Sequence, residues 1–159
     1  MDERMLFIDG SVDNMSHIGY GAYLVVSEAG LSLDSLRERV KVKRFADTAS
    51  TGLELQTLLW ALGDPHLRGR KLIVYTDSQN IMGLQGRRGR LEQNDYHSKK
   101  NKRLNNFVLY QQFFRTVDRL DCEFVKVRGH RASSRKGGIE KIFALVDRAS
   151  RYALRADTP

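Results

Sequence analysis

Four acidic residues stand where a folded chain could bring their carboxylates together. Asp9 ends an apolar run and is followed by Gly10, and Asp77 ends a second apolar run. In α/β proteins, ligand-binding and catalytic side chains gather at strand ends, where they point into a crevice. Glu54 and Asp147 lie in segments whose apolar residues recur at helical spacing. These positions make the four acids candidates for binding or catalysis.

Each acid also has an ordinary structural interpretation, which we favour for each residue on its own. Asp77 could be the N-cap of a following helix, because Asp is a preferred capping residue. Asp9 could simply belong to a turn. Thr51 and Glu54 have the spacing of a capping box. Asp147 could be a solvated helix residue near two arginines. Only a combination of the four can favour chemistry.

The composition is that of a basic globular protein. The 159 residues carry a net charge of +8, with 41% hydrophobic residues and a pI near 9.8. A basic surface suits a polyanionic partner, because phosphate contacts release condensed counterions; a basic surface without a partner is the alternative.

The single Cys122 excludes an internal disulfide. No apolar run reaches the roughly 20 residues of a membrane span. We predict one domain over residues 1–159, monomeric, soluble and cytoplasmic.

The elements that must position the acids can be predicted from apolar patterning. Short runs rich in β-branched and aromatic residues predict strands at 5–8, 20–26, 40–45, 72–75 and 122–127. Helical periodicity predicts helices from 53 onward and at 79–84, 104–117 and 142–154. The first three strands should form an antiparallel meander, whereas helical crossovers should make the later strands parallel. We therefore predict an α/β fold with a five-stranded mixed sheet and helices on both faces.

Six segments, taken together and in order, resemble type 1 ribonuclease H. They are Phe7-Ile8-Asp9-Gly10-Ser11, Gly19-Tyr20-Gly21-Ala22, Leu53-Glu54-Leu55, Tyr75-Thr76-Asp77-Ser78-Gln79, Val125-Lys126-Val127-Arg128-Gly129-His130 and Val146-Asp147-Arg148-Ala149. Each segment alone is weak, but six in the right order are specific, and the resemblance runs from about residue 5 to residue 154. The resemblance implies the ribonuclease H-like fold and an endonuclease that cuts the RNA strand of an RNA–DNA hybrid.

The resemblance also implies a metal site and a mechanism. In the family an Asp, Glu, Asp, Asp set holds two divalent ions, and Asp9, Glu54, Asp77 and Asp147 match it. Mg²⁺, for which Mn²⁺ can substitute, prefers such hard oxygen ligands. Two ions about 3.5–4 Å apart would hold the attacking and leaving oxygens of an in-line displacement, which leaves 5′-phosphate and 3′-hydroxyl ends. His130 matches a family histidine that moves protons or helps to release product.

Matches to the family's substrate-binding residues are less complete. Asn14 and Gln79 correspond to substrate-contacting positions. In the loop before the first long helix, Ala49 stands among residues that usually bind a DNA phosphate and RNA 2′-hydroxyls. Ser50 and Thr51 can still form hydrogen bonds there. Because 2′-hydroxyls distinguish RNA from DNA, this departure puts strand discrimination in doubt more than catalysis.

Two basic segments complete the candidate substrate surface. Residues 87–103 hold seven basic and two acidic residues and match a basic protrusion, about 86–103, that grips the DNA strand in many family members. The candidate contacts are Arg87, Arg88, Arg90, Lys99 and Lys100. Tyr96 and His97 are the residues of this segment that could stack on sugars or bases. The segment 131–141 is a second basic loop, either a flap over the site or a loop without a role.

Two other functions remain open from the sequence. A resolvase, transposase or exonuclease of the same superfold would use similar carboxylates on DNA. A catalytically silent nucleic-acid-binding module is the alternative outside enzymes. Clustered carboxylates argue against it, because they repel phosphate unless a cation is present. Cleavage of labelled hybrid with Mg²⁺ or Mn²⁺, compared with EDTA, would distinguish these functions.

Overall fold

A computed structural model describes residues 2–27, 30–128 and 137–157, and within them five strands form one sheet. The strands are β1 (Glu3–Asp13), β2 (Ile18–Val26), β3 (Lys41–Phe45), β4 (Lys71–Thr76) and β5 (Cys122–Lys126). Their order is β3-β2-β1-β4-β5. The β1–β2 and β2–β3 pairs are antiparallel, whereas β1–β4 and β4–β5 are parallel. The predicted mixed sheet is confirmed.

Helices cover both faces of this sheet. They are α1 (Leu33–Arg37), α2 (Ser50–Leu62), α3 (Gln79–Gln93), α4 (Phe107–Asp118) and α5 (Gly138–Asp157), with a 3₁₀ turn at Pro65–Leu67. None of the helices in the described ranges has the length and apolarity needed to cross a membrane. The faces differ because neighbouring β1 side chains point in opposite directions. Leu6 and Ile8 pack in the core with α2 and α4, whereas Phe7 packs in a second core with α5.

Two helices extend beyond their predicted limits. The prediction that α3 ends at 84 is wrong, since the helix continues to Gln93. Three glycines between 83 and 89 disfavour a helix, but Leu91 packs against the core and Arg88 pairs with Glu92 one turn later. The last helix begins at Gly138 rather than 142, so Lys141, predicted in the basic loop, is helical. Residues 131–136 of that loop lie outside the described residues.

Helix α2 packs unusually close to the sheet at Gly21. A β-carbon there would lie 2.9 Å from the Thr57 Cβ, a distance that real contacts essentially never show. Gly21 and Thr57 are both buried, so neither can swing into solvent. The glycine therefore sets how closely α2, which carries Glu54, approaches β2.

Candidate active site

The parallel register of β1 and β4 places two carboxylates side by side. Phe7 pairs with Tyr75 across these strands. Asp9 and Asp77 each come two residues later, so they lie next to each other on adjacent strands, whose backbones are about 4.8 Å apart. Asp77 directly follows β4, but the prediction that Asp9 ends its strand is wrong, because β1 stays paired with β2 as far as Asp13. The negative charge of Asp77 acts on Asp9. The sheet topology alone thus brings together two of the four predicted acids.

Glu54 joins them through a serine that sequence reasoning missed. Helix α2 has Ala49 at its N-cap, so the capping-box interpretation of Glu54 is wrong. The Glu54 carboxylate instead accepts a hydrogen bond from the Ser78 hydroxyl. That hydroxyl also accepts from the Ile81 N–H at 3.1 Å and caps α3, so the N-cap interpretation of Asp77 is wrong as well. The capping serine after Tyr75-Thr76-Asp77 was the available signal.

Asp147 reaches the same place from the other face of the sheet. Its carboxyl group is close enough to Asp9 to raise the pKa of Asp9. Arg151, one turn later, places Nε 3.0 Å from Asp147 Oδ1. The buried Ser150 hydroxyl lies 3.0 Å from both the Asp147 carbonyl oxygen and the Ser11 hydroxyl. This pair of hydroxyls fixes α5 against β1 beside Asp9.

The acids destabilise one another's charged forms. Burial, the charge of Asp77 and the hydrogen bond with Asp147 raise the pKa of Asp9 to about 9, although the Gly10 N–H acts in the opposite direction. Burial and the charge of Asp77 also raise the pKa of Glu54, against the effect of the Ser78 hydrogen bond. A cation held among these groups would relieve the repulsion, because nearby positive charge favours the ionised carboxylate.

The donor set fits a hard divalent cation in chemistry but is not arranged as a finished metal site. Four carboxylates offer oxygen ligands of the kind that Mg²⁺ prefers. Across residues 2–27, 30–128 and 137–157, no three His, Cys, Asp or Glu side chains are grouped closely enough to hold an ion. The Asp147–Arg151 ion pair occupies a carboxylate oxygen that a cation would need. His130 lies outside the described residues, so its position is left as a prediction.

A groove of about 710 Å³ contains three of the predicted substrate-binding residues. Asn14, Ser50 and Thr51 line it, and so do residues that sequence reasoning missed: His17, Gln56, Asn105 and Asn106. The Thr48 hydroxyl donates to Gln56 Oε1 at 2.7 Å, so it is already engaged within the protein. The Asn105-Asn106 pair precedes α4, where an asparagine by itself indicates only a helix start.

Some of the other residues predicted to contact substrate already form hydrogen bonds within the protein, whereas others do not. Gln79 accepts a hydrogen bond from Lys126 Nζ at 2.6 Å. Arg87 donates to Asn80 Oδ1 at 2.6 Å. Arg88 donates to both Asp118 oxygens at 2.6 and 2.9 Å and covers the Phe114 ring. Three of the predicted contacts therefore already have partners within the protein.

The loop after α3 holds the more open part of the basic segment. Arg90, His97 and Lys99 line a cavity of about 460 Å³ there, and Lys100 is exposed beside it. The Tyr96 side chain is only 6% exposed and belongs to the core. The prediction that Tyr96 could stack on a substrate is therefore wrong, because its ring is inaccessible.

Comparison with known proteins gives one family and a set of similar folds. The sequence model of the RNase H family matches residues 1–148. No curated protein matches the chain. Among solved structures, the RNase H domain of PFV has a TM-score of 0.74 at 13% identity, covering 98% of this chain and 96% of that one. The Prototype Foamy Virus protease–reverse transcriptase has a TM-score of 0.72 at 14% identity, covering 95% of this chain and 20% of that one. A foamy viral protease–reverse transcriptase solved with an RNA/DNA hybrid has a TM-score of 0.68 at 10% identity, over 95% and 19% of the two chains.

Proposed function

The chain belongs to the ribonuclease H family, and we propose that it is an endonuclease that hydrolyses the RNA strand of RNA–DNA hybrids with two divalent cations. The products would be 5′-phosphate and 3′-hydroxyl ends. The observation that carries the proposal is that four carboxylates from β1, α2, the end of β4 and α5 influence one another in pairs: Asp9 with Asp77 and Asp147, and Glu54 with Asp77. Such a cluster opposes phosphate binding by itself, so it is useful to a nuclease only when cations are present.

The carboxylates have distinct tasks in this proposal. Asp9 is central, since it interacts with both Asp77 and Asp147, and it would face both cations. Glu54 is oriented by Ser78 and would also position the attacking water. Bound Mg²⁺ or Mn²⁺ would supply positive charge for the transition state and a water of lowered pKa. His130 would accept or return a proton near the leaving oxygen.

The groove and the basic segment would hold the two strands. Asn14, Ser50 and Thr51 line a polar groove next to the first turn of α2, where they would donate to 2′-hydroxyls and phosphates. Ala49 contributes no hydroxyl, and that of Thr48 is bonded to Gln56. We therefore expect weakened rejection of double-stranded RNA, whose cut strand keeps its 2′-hydroxyls. Duplex DNA should not be cut.

The test compares three labelled duplexes of one sequence: RNA–DNA hybrid, double-stranded RNA and double-stranded DNA. With Mg²⁺, hybrid should be cut fastest, and EDTA should stop all cleavage. Asp9→Asn should abolish hybrid cleavage while hybrid binding remains, because the fold and the basic surface are intact. His130→Ala should slow turnover by roughly 10²-fold, as for a proton-transfer residue.

A matched control makes the result specific. Asp34→Asn removes the same charge from an exposed site on α1, where the side chain is 89% exposed, and should cut at the wild-type rate. Retention of more than a tenth of the activity in Asp9→Asn would refute the metal-site assignment. Duplex DNA cut as fast as hybrid would instead favour a resolvase or exonuclease.

A further inference from the structure

A second pocket lies far from the carboxylates, at the opposite end of the sheet. It has a volume of about 220 Å³ and is lined by Arg4, Tyr23, Ser27, Arg39, Lys41 and His66; we call it the distal pocket. Arg4 precedes Asp9 by five residues on β1, which places it about 16 Å away at the usual rise per strand residue. The distal pocket is therefore separate from the site proposed for cleavage.

Basic side chains line much of the distal pocket, and the carboxylate of Asp64, which contacts three of the lining residues, is turned inward. Asp64 is buried, with a side chain 2% exposed. Its Oδ2 accepts from the Tyr23 hydroxyl at 2.7 Å and from Lys41 Nζ at 3.1 Å. Its Oδ1 accepts from the His66 backbone N–H at 2.9 Å and lies 2.8 Å from His66 Nδ1. With both oxygens engaged, Asp64 fixes three lining residues without presenting a free acceptor to the pocket.

The two arginines leave donors for a ligand. Arg4 is mostly covered, with a side chain 14% exposed, and its Nη1 lies 3.0 Å from Asp2 Oδ1. Asp2 also pairs with Arg70, so its charge is shared. Arg39 is exposed, and in the described parts of the chain its guanidinium has no ion-pair partner. An arginine fork of this kind matches the oxygens of a phosphate.

We propose that the distal pocket binds the phosphate group of a sugar phosphate ester. Arg4 and Arg39 would hold the phosphate oxygens, Lys41 would add charge, and the Ser27 hydroxyl would contribute a hydrogen bond. The partly buried Val25, which also lines the pocket, would contact the attached sugar. A concave pocket of this volume suits one phosphate and one sugar better than the flat length of a duplex. The ester could be a free mononucleotide-type molecule or a unit of a single nucleic-acid strand.

Binding can be followed with the chain's single tryptophan. Trp60 packs edge-on against the Tyr23 ring, with the centroids 4.6 Å apart, and the exposed Lys41 places Nζ 5.6 Å from the centroid of the same ring. A ligand that draws Lys41 toward the pocket should therefore change the Trp60 fluorescence. The probes are inorganic phosphate, ribose 5-phosphate and an abasic deoxyribose phosphodiester oligomer, titrated with EDTA at constant ionic strength. Saturation by ribose 5-phosphate alone identifies a free ester, whereas tighter saturation by the oligomer identifies a nucleic-acid strand.

Variants link the signal to the distal pocket. Arg39→Ala should weaken binding about tenfold or more, as expected for the loss of charge-assisted hydrogen bonds, and Arg39→Lys should restore part of it. Arg119→Ala removes the same charge from an exposed position at the end of α4 and should bind like wild type. The proposal is overturned if no ester gives a saturable signal, or if Arg39→Ala and Arg119→Ala behave alike. Hybrid cleavage by Arg39→Ala should match wild type, so this test is independent of the proposed function.

Discussion

Replacing Asp9 with Asn should stabilise the protein when divalent cations are absent, although the same change should abolish cleavage. In the folded chain the pKa of Asp9 is raised from 3.8 to about 9 by burial, by Asp77 and by the hydrogen bond with Asp147. The folded state therefore binds a proton that the unfolded state has lost. A group with this shift makes the protein less stable as pH rises from about 4 to about 9. The side-chain amide of Asn is neutral at every pH, so it adds no free-energy cost as pH rises, and it can still donate a hydrogen bond to Asp147.

The size of the effect follows from the shift. Neutral pH is about three units above the ordinary pKa, and at 1.36 kcal/mol per unit the cost at pH 7 is at most about 4 kcal/mol. Because Asp9 is partly exposed, solvent screens part of this cost, so we expect about 2 kcal/mol. For a chain of this length that corresponds to a melting temperature roughly 4–8 °C higher.

The assay is urea and thermal unfolding in EDTA at pH 5, 7 and 8.5. The advantage of Asp9→Asn over wild type should grow with pH, and Asp34→Asn should show no such trend. Added Mg²⁺ should stabilise wild type more than Asp9→Asn. An Asp9→Asn protein no more stable than wild type at pH 8.5, or an advantage that is constant with pH, would refute the electrostatic reasoning.

Four further substitutions test other parts of the structure. Arg88→Ala should lower the unfolding free energy by about 1 kcal/mol, because it loses the paired contacts with Asp118. Arg90→Ala should leave stability unchanged but weaken hybrid binding and flatten its salt dependence by about 0.9 log unit per lost phosphate contact. If Arg88→Ala and Arg90→Ala changed stability and binding equally, the assignment of Arg88 to stability and Arg90 to binding would be wrong. Gly21→Ala should cost at least about 2 kcal/mol in urea unfolding from overpacking, and Thr57→Gly should recover part of that loss in the double variant. Asp64→Asn should cost about 3 kcal/mol at pH 7; because hydrogen bonds outweigh burial and lower the pKa of Asp64, its contribution is present above pH 4 and is lost as pH falls further, so the two proteins should converge in acid.

The fold could be predicted because apolar runs and helical spacing are local signals. The five strands, the antiparallel meander and the parallel direction of the later strands follow from run lengths and the segments between them, whereas the pairing of β4 with β1 was not predicted. The end of α3 could not be predicted in this way. Gly86 and Gly89 disfavour a helix locally, but packing of Leu91 against the core stabilises it. Tyr96 looked like a stacking residue because polar neighbours suggest exposure, yet its ring completes the core.

The residue types of the candidate site could be predicted, but the hydrogen bonds among its side chains could not. The end of an apolar run marked both Asp9 and Asp77, although only Asp77 follows the end of its strand, and the resemblance added Glu54 and Asp147. Nothing local indicates that Ser78 would hold Glu54 across 24 residues. Contacts between distant segments depend on how elements pack, and so they appear only once the sheet order is known.

The parallel β1–β4 pair at the centre of the sheet also determines when the acidic cluster can form. The β1–β2–β3 meander closes through neighbouring segments, whereas β1 meets β4 only after a loop of more than 50 residues has closed, which costs entropy. The helix carrying Asp147 is further away still. The four acids therefore come together late in folding, once the distant contacts have formed. A cation bound among them should accordingly slow unfolding and leave the folding rate nearly unchanged.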